Sequence, residues 1–302
     1  MASRSIASLV DDSTDDYSPT HERVRVEFGA ETHPGRARDR NEDQFLVAKL
    51  AKTMRTVTTS LGDHGDTLRR SDEEGYLMVV ADGMGGSAAG ETASALAVET
   101  VESFALNSLK WFLHCEGEEG GELIGELQKA LQYADQTIVE RSHSDLSYGG
   151  MGTTLTLVFS VSTELFIVHA GDSRAYLFRE GQLDQLTKDH TLVQVLVEAG
   201  ALSRAAARHD RRRHIVTNAL GGFHRGVHAE VQKTHVADGD ILLLCTDGLS
   251  ESLEDAEIAA ILARKPEPET ACRQLVEAAM EHGASDDVTA VIAHYAVHQQ
   301  HR

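Results

Sequence analysis

The sequence is poor in cysteine. Cys115, Cys245 and Cys272 are its only thiols, and none lies at a spacing that would pair it with another. An odd, scattered set of three excludes a disulfide framework and a cysteine-rich zinc cluster, and fits a reducing compartment, the cytoplasm. No run approaches the roughly 18–20 consecutive apolar residues of a membrane span, and the longest buried-looking stretches, such as Ile241 to Cys245, read as core strands. Positive charge is also scarce. Lys and Arg total 28 against 48 Asp and Glu, a formal net charge of -20. That balance argues against nucleic acid and anionic membranes as partners, because both are densely negative. Residues 1–22 hold Asp11, Asp12, Asp15 and Asp16 among serines and threonines, without the cationic start and apolar core of a secretory signal. They read as a flexible acidic tail on a chain that is not exported.

What the sequence does have is a legible alternation of elements. Val24, Val26 and Phe28 alternate with Arg25 and Glu27 at the period of a half-buried strand. Phe45 to Val47 and Tyr76 to Ala81 predict two more strands. Between them, residues 48–75 are polar and threonine-rich, an insertion that reads as a long hairpin or loop. Ala88 to Lys110 and Glu122 to His143 switch to helical spacing, separated by the glycines between Gly117 and Gly121. Strand-like segments follow at Thr153 to Val161, Glu164 to His169, Ala175 to Arg179 and Gln182 to Leu186, with Glu180-Gly181 as a tight turn. Thr191 to Ala199 reads as a helix, and Val227 to Val236 and Ile241 to Cys245 as strands. A second helix pair, Glu254 to Ala263 and Glu269 to His282, is broken at Pro266 and Pro268, and Val288 to Tyr295 closes the chain as a strand. Strands, a helix pair, strands and another helix pair indicate an α+β architecture. The arrangement that covers every amphipathic face is a four-layer α-β-β-α sandwich, two packed antiparallel sheets flanked by helix pairs. No linker or repeat divides residues 23–302.

The chemistry-bearing residues are aspartates at the ends of apolar strands, beside glycines. Asp82 stands in Val79-Val80-Ala81-Asp82-Gly83-Met84-Gly85-Gly86, and Asp172 in Ala170-Gly171-Asp172-Ser173-Arg174. Asp247 stands in Leu244-Cys245-Thr246-Asp247-Gly248, and Asp286 in Gly283-Ala284-Ser285-Asp286-Asp287. One Asp-Gly is usually just a turn. Four at strand ends in one acidic chain point to carboxylates converging on hard cations such as Mg²⁺ or Mn²⁺. Arg38-Asp39-Arg40-Asn41-Glu42-Asp43 adds two carboxylates and an arginine, a set that suits cations and a phosphate held together.

These strings, in this order, resemble the protein phosphatase 2C family of metal-dependent serine/threonine phosphatases in its bacterial form. The resemblance runs from about Val24 to Ala293 through Arg38 to Asp43, Asp82 to Ser94, Gly149 to Thr154, Gly171 to Arg174, Cys245 to Glu251 and Gly283 to Thr289. It implies two Mn²⁺ or Mg²⁺ ions per active site, with Asp82 bridging them and the Gly83 carbonyl on one. Asp247 and Asp286 complete the shell of the second ion. Asp43 belongs to the metal set and Glu42 acts beside it, both mostly through bound water. Asp172 with Asp247 resembles a third, weaker site. Arg38 binds the substrate phosphate, so that Arg38 and Asp82 are the catalytic pair. The implied reaction is hydrolysis of phosphoserine and phosphothreonine in proteins by a metal-activated water, without a phosphoenzyme, in reversal of a bacterial serine/threonine kinase. The implied form is a cytoplasmic monomer.

Three positions depart from the family pattern. Met84 stands where animal members carry a histidine thought to act as general acid, which leaves the proton donor unassigned. Ser87 replaces a histidine frequent in bacterial relatives. Asp287 replaces an asparagine, and the added charge predicts tighter or less selective metal binding. Residues 188–222 occupy the place of a variable flap beside the active site, and Arg204, Arg208, Arg211, Arg212 and Arg213 make it a candidate surface for acidic phosphopeptides. The histidines read as structural or surface groups. Two rival readings are a non-catalytic relative, which should have lost metal ligands, and a two-metal hydrolase of nucleotides or nucleic acid, which the acidity and motif order disfavour.

Overall fold

A computed structural model describes residues 23–58, 60, 68–109, 119–222 and 226–298. The acidic tail, Cys115 and Gly117 therefore lie outside the described residues, whereas Gly120 and Gly121, expected between the two long helices, stand in the first turn of the second.

Three strands open the chain: β1 (Arg23–His33), β2 (Asp43–Arg55) and β3 (Leu68–Met84). Two long helices follow, α1 (Ser87–Asn107) and α2 (Glu119–Ser144). Then come β4 (Gly152–Thr153), β5 (Leu155–Val161), β6 (Glu164–Ala170), β7 (Arg174–Arg179) and β8 (Gln182–Gln185). The next stretch holds two short helices, α3 (Leu192–Glu198) and α4 (Arg204–Ala207), and β9 (Leu220–Gly221). The chain continues through β10 (Glu230–His235), β11 (Ile241–Cys245), α5 (Asp247–Ser250), α6 (Asp255–Leu262), α7 (Pro268–Glu281) and β12 (Val288–His298).

Two antiparallel sheets result. One has the order β1-β12-β11-β7-β8; the other runs β10-β6-β5-β3-β4-β9, with β2 also paired to β3. Met78, Val80, Val158 and Ile167 of the second sheet face Leu177, Leu242, Leu244 and Val291 of the first in a buried middle layer. The other face of the second sheet packs Leu77, Val79, Leu157 and Phe159 against α1 and α2. The other face of the first packs Tyr176, Leu243 and Ile292 against Ile258, Leu262, Leu275 and Ala279 of α6 and α7. This is the four-layer sandwich expected from the alternation of the sequence. Apolar runs buried on both faces explain why β5, β6 and β11 read as continuous hydrophobic segments.

The local signals act as the sequence predicts. Glu180 and Gly181, both at positive φ (51° and 88°), turn β7 into β8. A reciprocal capping box between Glu254 and Glu257 starts α6, and Pro268 occupies the first turn of α7. Residues 48–75 form a hairpin whose described arms extend β2 and β3, with a register shift between Ala51 and Thr53. No described helix is long and apolar enough to cross a membrane.

Candidate metal centre

β-Sheet register brings the first two carboxylates together. Asp43 at the start of β2 is directly opposite Asp82 near the end of β3. The backbone of Asp82 is clamped from the next strand: its N–H donates to Thr154 Oγ1 at 3.0 Å, and its carbonyl accepts from Thr154 N at 2.9 Å and Thr153 Oγ1 at 2.8 Å. That clamp is why the run Thr153 to Val161 breaks into β4 and β5. Gly83 is required by close approach, since a Cβ there would lie 2.3 Å from the Gly90 carbonyl oxygen of α1 and 2.8 Å from that of Glu42.

The other sheet supplies the remaining acids. Asp247 opens the single helical turn α5 directly after β11, and Asp286 lies two residues before β12. Asp172 follows Gly171, whose φ of 123° and contact with Thr154 leave no room for a side chain. Thr154 Oγ1 and Ser173 Oγ meet at 2.7 Å and tie the Asp172 turn to the Asp82 clamp.

The cluster is short of hydrogen bonds on the oxygens that face inward. Thr246 and Thr289 hydroxyls both donate to Asp43 Oδ2, at 2.8 and 2.6 Å, while buried Asp43 Oδ1 and Asp247 Oδ1 have no hydrogen-bond partner. Burial pushes Asp43 up to about 8, against the two threonine hydrogen bonds, with the charges of Asp287 and Asp247 adding to the rise. Burial likewise raises Asp247 to about 7, helped by Glu251 and Asp286. Asp82 is held well above the ordinary carboxylate range by burial and then by Asp43, Asp247, Asp172 and Asp286. Burial and Asp247 do the same to Asp172. Crowded carboxylates with orphaned oxygens and no lysine or arginine among them are a donor set for hard divalent cations. The residues present fit such ions.

Arg38 sits at the edge. Its Nε donates to Asp286 Oδ1 at 2.7 Å, a second nitrogen lies 2.6 Å from the same oxygen, and Glu42 Oε2 is 3.6 Å away. Glu42 itself is buried against α1, where Ser94 Oγ donates to its carbonyl at 2.6 Å. Asp287 does not face the cluster as a free charge. Its Oδ1 accepts from Gly35 N at 3.0 Å and its Oδ2 from Glu42 N at 2.7 Å, so it fixes the loop carrying Arg38. All eight residues expected from the sequence are thus gathered around one site: Arg38, Glu42, Asp43, Asp82, Gly83, Asp172, Asp247 and Asp286.

Residues 188–222 form one wall. His190 anchors both ends of this flap: its Nδ1 accepts from Gly171 N at 3.1 Å and lies 3.0 Å from Asn218 Nδ2, while Nε2 meets Glu230 Oε2 at 3.0 Å. A cavity of about 510 Å³ opens between flap and sheet, lined by Asp172 and Asp247 on one side and by Arg204, Arg208 and Arg213 on the other. Arg211 and Arg212 do not line it, and Arg212 pairs with Asp210 at 2.8 Å. On the other side a groove of about 180 Å³ is lined by Met84, Gly152, His214, Val216 and Leu220. His214, Asp247 and Glu251 place ligand-type atoms within 4.8 Å of one another. His214 and Glu251 are site residues that the spacing alone did not single out, because the contact spans residues far apart in the chain. Cys245 is buried and its thiol is pushed up to about 12, so it is no nucleophile. His169 is structural, buried between Thr156 Oγ1 at 2.8 Å and the Lys188 carbonyl at 3.1 Å.

Residues 62–291 match the family model described as protein phosphatase 2C. Over 252 residues the chain is 37% identical to the serine/threonine protein phosphatase PstP of Mycobacterium tuberculosis, a match covering 82% of this chain and 46% of that protein. The chain thus spans about half the length of that relative. A serine/threonine phosphatase, stp, of Listeria innocua is 33% identical over 230 residues, covering 76% of this chain and 88% of that one. Among solved structures, the catalytic domain of PstP in complex with two manganese ions superposes with a TM-score of 0.70 at 31% identity, covering 90% of this chain and 99% of that one.

Proposed function

The chain belongs to the protein phosphatase 2C family, metal-dependent serine/threonine phosphatases with a two-metal site for Mn²⁺ or Mg²⁺, and from that premise we propose that it hydrolyses phosphoserine and phosphothreonine in proteins at the carboxylate cluster. The observation that carries this reading is the pair of orphaned, buried oxygens on Asp43 and Asp247, beside Asp82 and Asp172, four carboxylates whose pKa values burial raises. Asp82 and the Gly83 carbonyl would hold the cations together with Asp43, Asp247 and Asp286. Glu42 would act through water, and Asp172 with Asp247 would hold a third, weaker ion. When bound, the cations supply Lewis acidity and an activated water for attack on phosphorus.

The chain's own groups do the rest. Arg38 offers guanidinium N–H donors to two phosphoryl oxygens and offsets the charge that grows on them in the transition state. Its hold on Asp286 keeps it pointed at the cluster when no substrate is present. The clamp of Thr153 and Thr154 on Asp82 fixes that carboxylate against displacement, as a preorganised site requires. Residues 23–302 work as one catalytic domain, a cytoplasmic monomer acting on phosphoproteins that include a serine/threonine kinase.

The test is hydrolysis of a phosphothreonine peptide by wild type and Asp82→Asn, with and without Mn²⁺. Metal-dependent turnover that the substitution lowers by about 10³-fold or more is the expected result. A folded wild type that is inert with every divalent ion would turn the fold into a binding module.

A further inference from the structure

We propose that His214 is the catalytic proton donor, delivering a proton to the seryl or threonyl oxygen that leaves phosphorus. The inference rests on the phosphatase reading and deepens it. An alkoxide leaving group is a poor one, so its departure calls for a positioned acid. Met84, at the head of α1 beside Asp82, has no proton to give. The groove that Met84 lines is completed across its width by the flap, and among the described residues the one titratable side chain lining it is His214. No described histidine lines the larger cavity on the other side of the flap. His214 thus shares a groove with Met84, two residues after Asp82, and brings a ring nitrogen within 4.8 Å of carboxylate oxygens of Asp247 and Glu251.

Its surroundings suit the role. Nδ1 lies 3.2 Å from Glu251 Oε1, an ion-pair distance that makes Nε2 the nitrogen we assign to the leaving group. A carboxylate behind an imidazole fixes its tautomer and orientation. Glu251 lies just after α5, four residues beyond Asp247, and also forms an ion pair with Arg213 Nε at 3.3 Å. The charged groups around the ring are thus Glu251, Arg213 and Asp247. The step balances simply. Water bonds to phosphorus while the ester P–O bond breaks; its electron pair stays on the seryl or threonyl oxygen, which takes the Nε2 proton. The imidazole is left neutral beside Glu251 and regains the proton that the attacking water loses.

The experiment compares two leaving groups in Mn²⁺-saturated enzyme. For His214→Asn, kcat on a phosphothreonine peptide should fall about 10²-fold, while kcat on p-nitrophenyl phosphate, whose phenolate leaves without a proton, should stay within about threefold. Glu251→Gln, which keeps an acceptor but not its charge, should shift the same ratio in the same direction by less. Equal losses on both substrates would make His214 a positioning residue and overturn the assignment, as would no loss on either. A loss on both that extra Mn²⁺ restores would make it a metal ligand, again overturning it. A wild type inert on both substrates would instead sink the phosphatase reading itself.

Discussion

The two walls of the site are built on opposite terms. The metal wall is rigid and apolar behind its surface: Asp82, Asp172 and Asp247 lie at the ends of strands buried in the core layers, and Asp43 is held opposite Asp82 by the pairing of β2 with β3. Its charges are nearly all of one sign, and without ions they repel one another in a medium that solvates them poorly. The flap wall has little core. Its helices are 7 and 4 residues long, and its arginines are exposed and matched by acids, Arg208 with Glu254, Arg212 with Asp210 and Arg213 with Glu251. One wall stores unfavourable electrostatics for the cations to relieve; the other has its electrostatics already satisfied. Function is therefore concentrated on the wall that the fold holds most firmly and the metal-free chain tolerates least.

The largest effects should come from relieving that stored repulsion. Asp82→Asn removes the carboxylate with four acidic neighbours, so the variant that abolishes turnover should also be the more stable metal-free protein. A rise in metal-free Tm of about 2–4 °C, on the order of 1 kcal/mol, is expected by calorimetry. A fall in Tm instead would mean that Asp82 is structurally required and the repulsion is imaginary.

The same contrast sets a pH dependence. In the unfolded chain both Asp43 and Asp247 ionise near the ordinary aspartate value of about 4, whereas burial holds them at about 8 and about 7 when folded. Between these limits the folded state binds more protons, so their contribution is fully present below about pH 4 and is lost as pH rises through 7 to 8. Metal-free Tm should therefore decline from about pH 5.5 to 8.5, and the gain in Tm on adding Mn²⁺ should grow over the same interval, because cations compete with protons for the same oxygens. A Mn²⁺ gain that is flat with pH would show these carboxylates to be ionised already.

Much of the metal wall is legible in the sequence, and the physical reason is local. Strands such as Leu155–Val161 announce themselves by continuous apolar residues, and Asp82, Asp172, Asp247 and Asp286 by glycines and strand ends beside them. What stayed hidden depends on distant pairing. β9 is two residues, Leu220 and Gly221, held as a strand by Gly152 and Thr153 alone, and so short an element has no period to read. The arms of the 48–75 hairpin are joined by backbone pairing, and among their described residues only Ala48 and Leu50 of the first arm reach the core, so little apolar alternation marks them. The contact of His214 with Glu251 joins the flap to α5, and nothing near either residue signals it. Asp287 shows a subtler limit. Its extra charge suggests an effect on cations, but both its oxygens are committed to backbone amides.

Asp287→Asn then separates charge from anchoring. An asparagine offers one carbonyl oxygen to two N–H groups, so either Gly35 or Glu42 loses its acceptor, at a cost of about 1–3 kcal/mol. Thermal stability should fall while Mn²⁺ affinity, measured by calorimetric titration, changes by less than about threefold. A tenfold weaker Mn²⁺ with unchanged Tm would return the residue to the metal wall.

The smallest effects should lie on the flap, and they should be unequal. Arg204, Arg208 and Arg213 line the cavity that reaches Asp172 and Asp247, whereas Arg211 and Arg212 do not. If the flap attracts acidic residues flanking the phosphorylated one, only the first three are placed to do so. Replacing those three with glutamine should raise KM for an acidic phosphopeptide by about three- to tenfold with kcat little changed, on the order of 1 kcal/mol for partly exposed charges. Replacing Arg211 and Arg212 should stay within about twofold, as expected of exposed pairs in solvent. Raising salt from about 0.05 to 0.5 M should close the gap, since screening then acts within a few ångströms. Equal effects of the two sets would reduce the arginines to a diffuse field, and no effect of either would leave the flap a solvated wall whose contribution to the reaction is His214 alone.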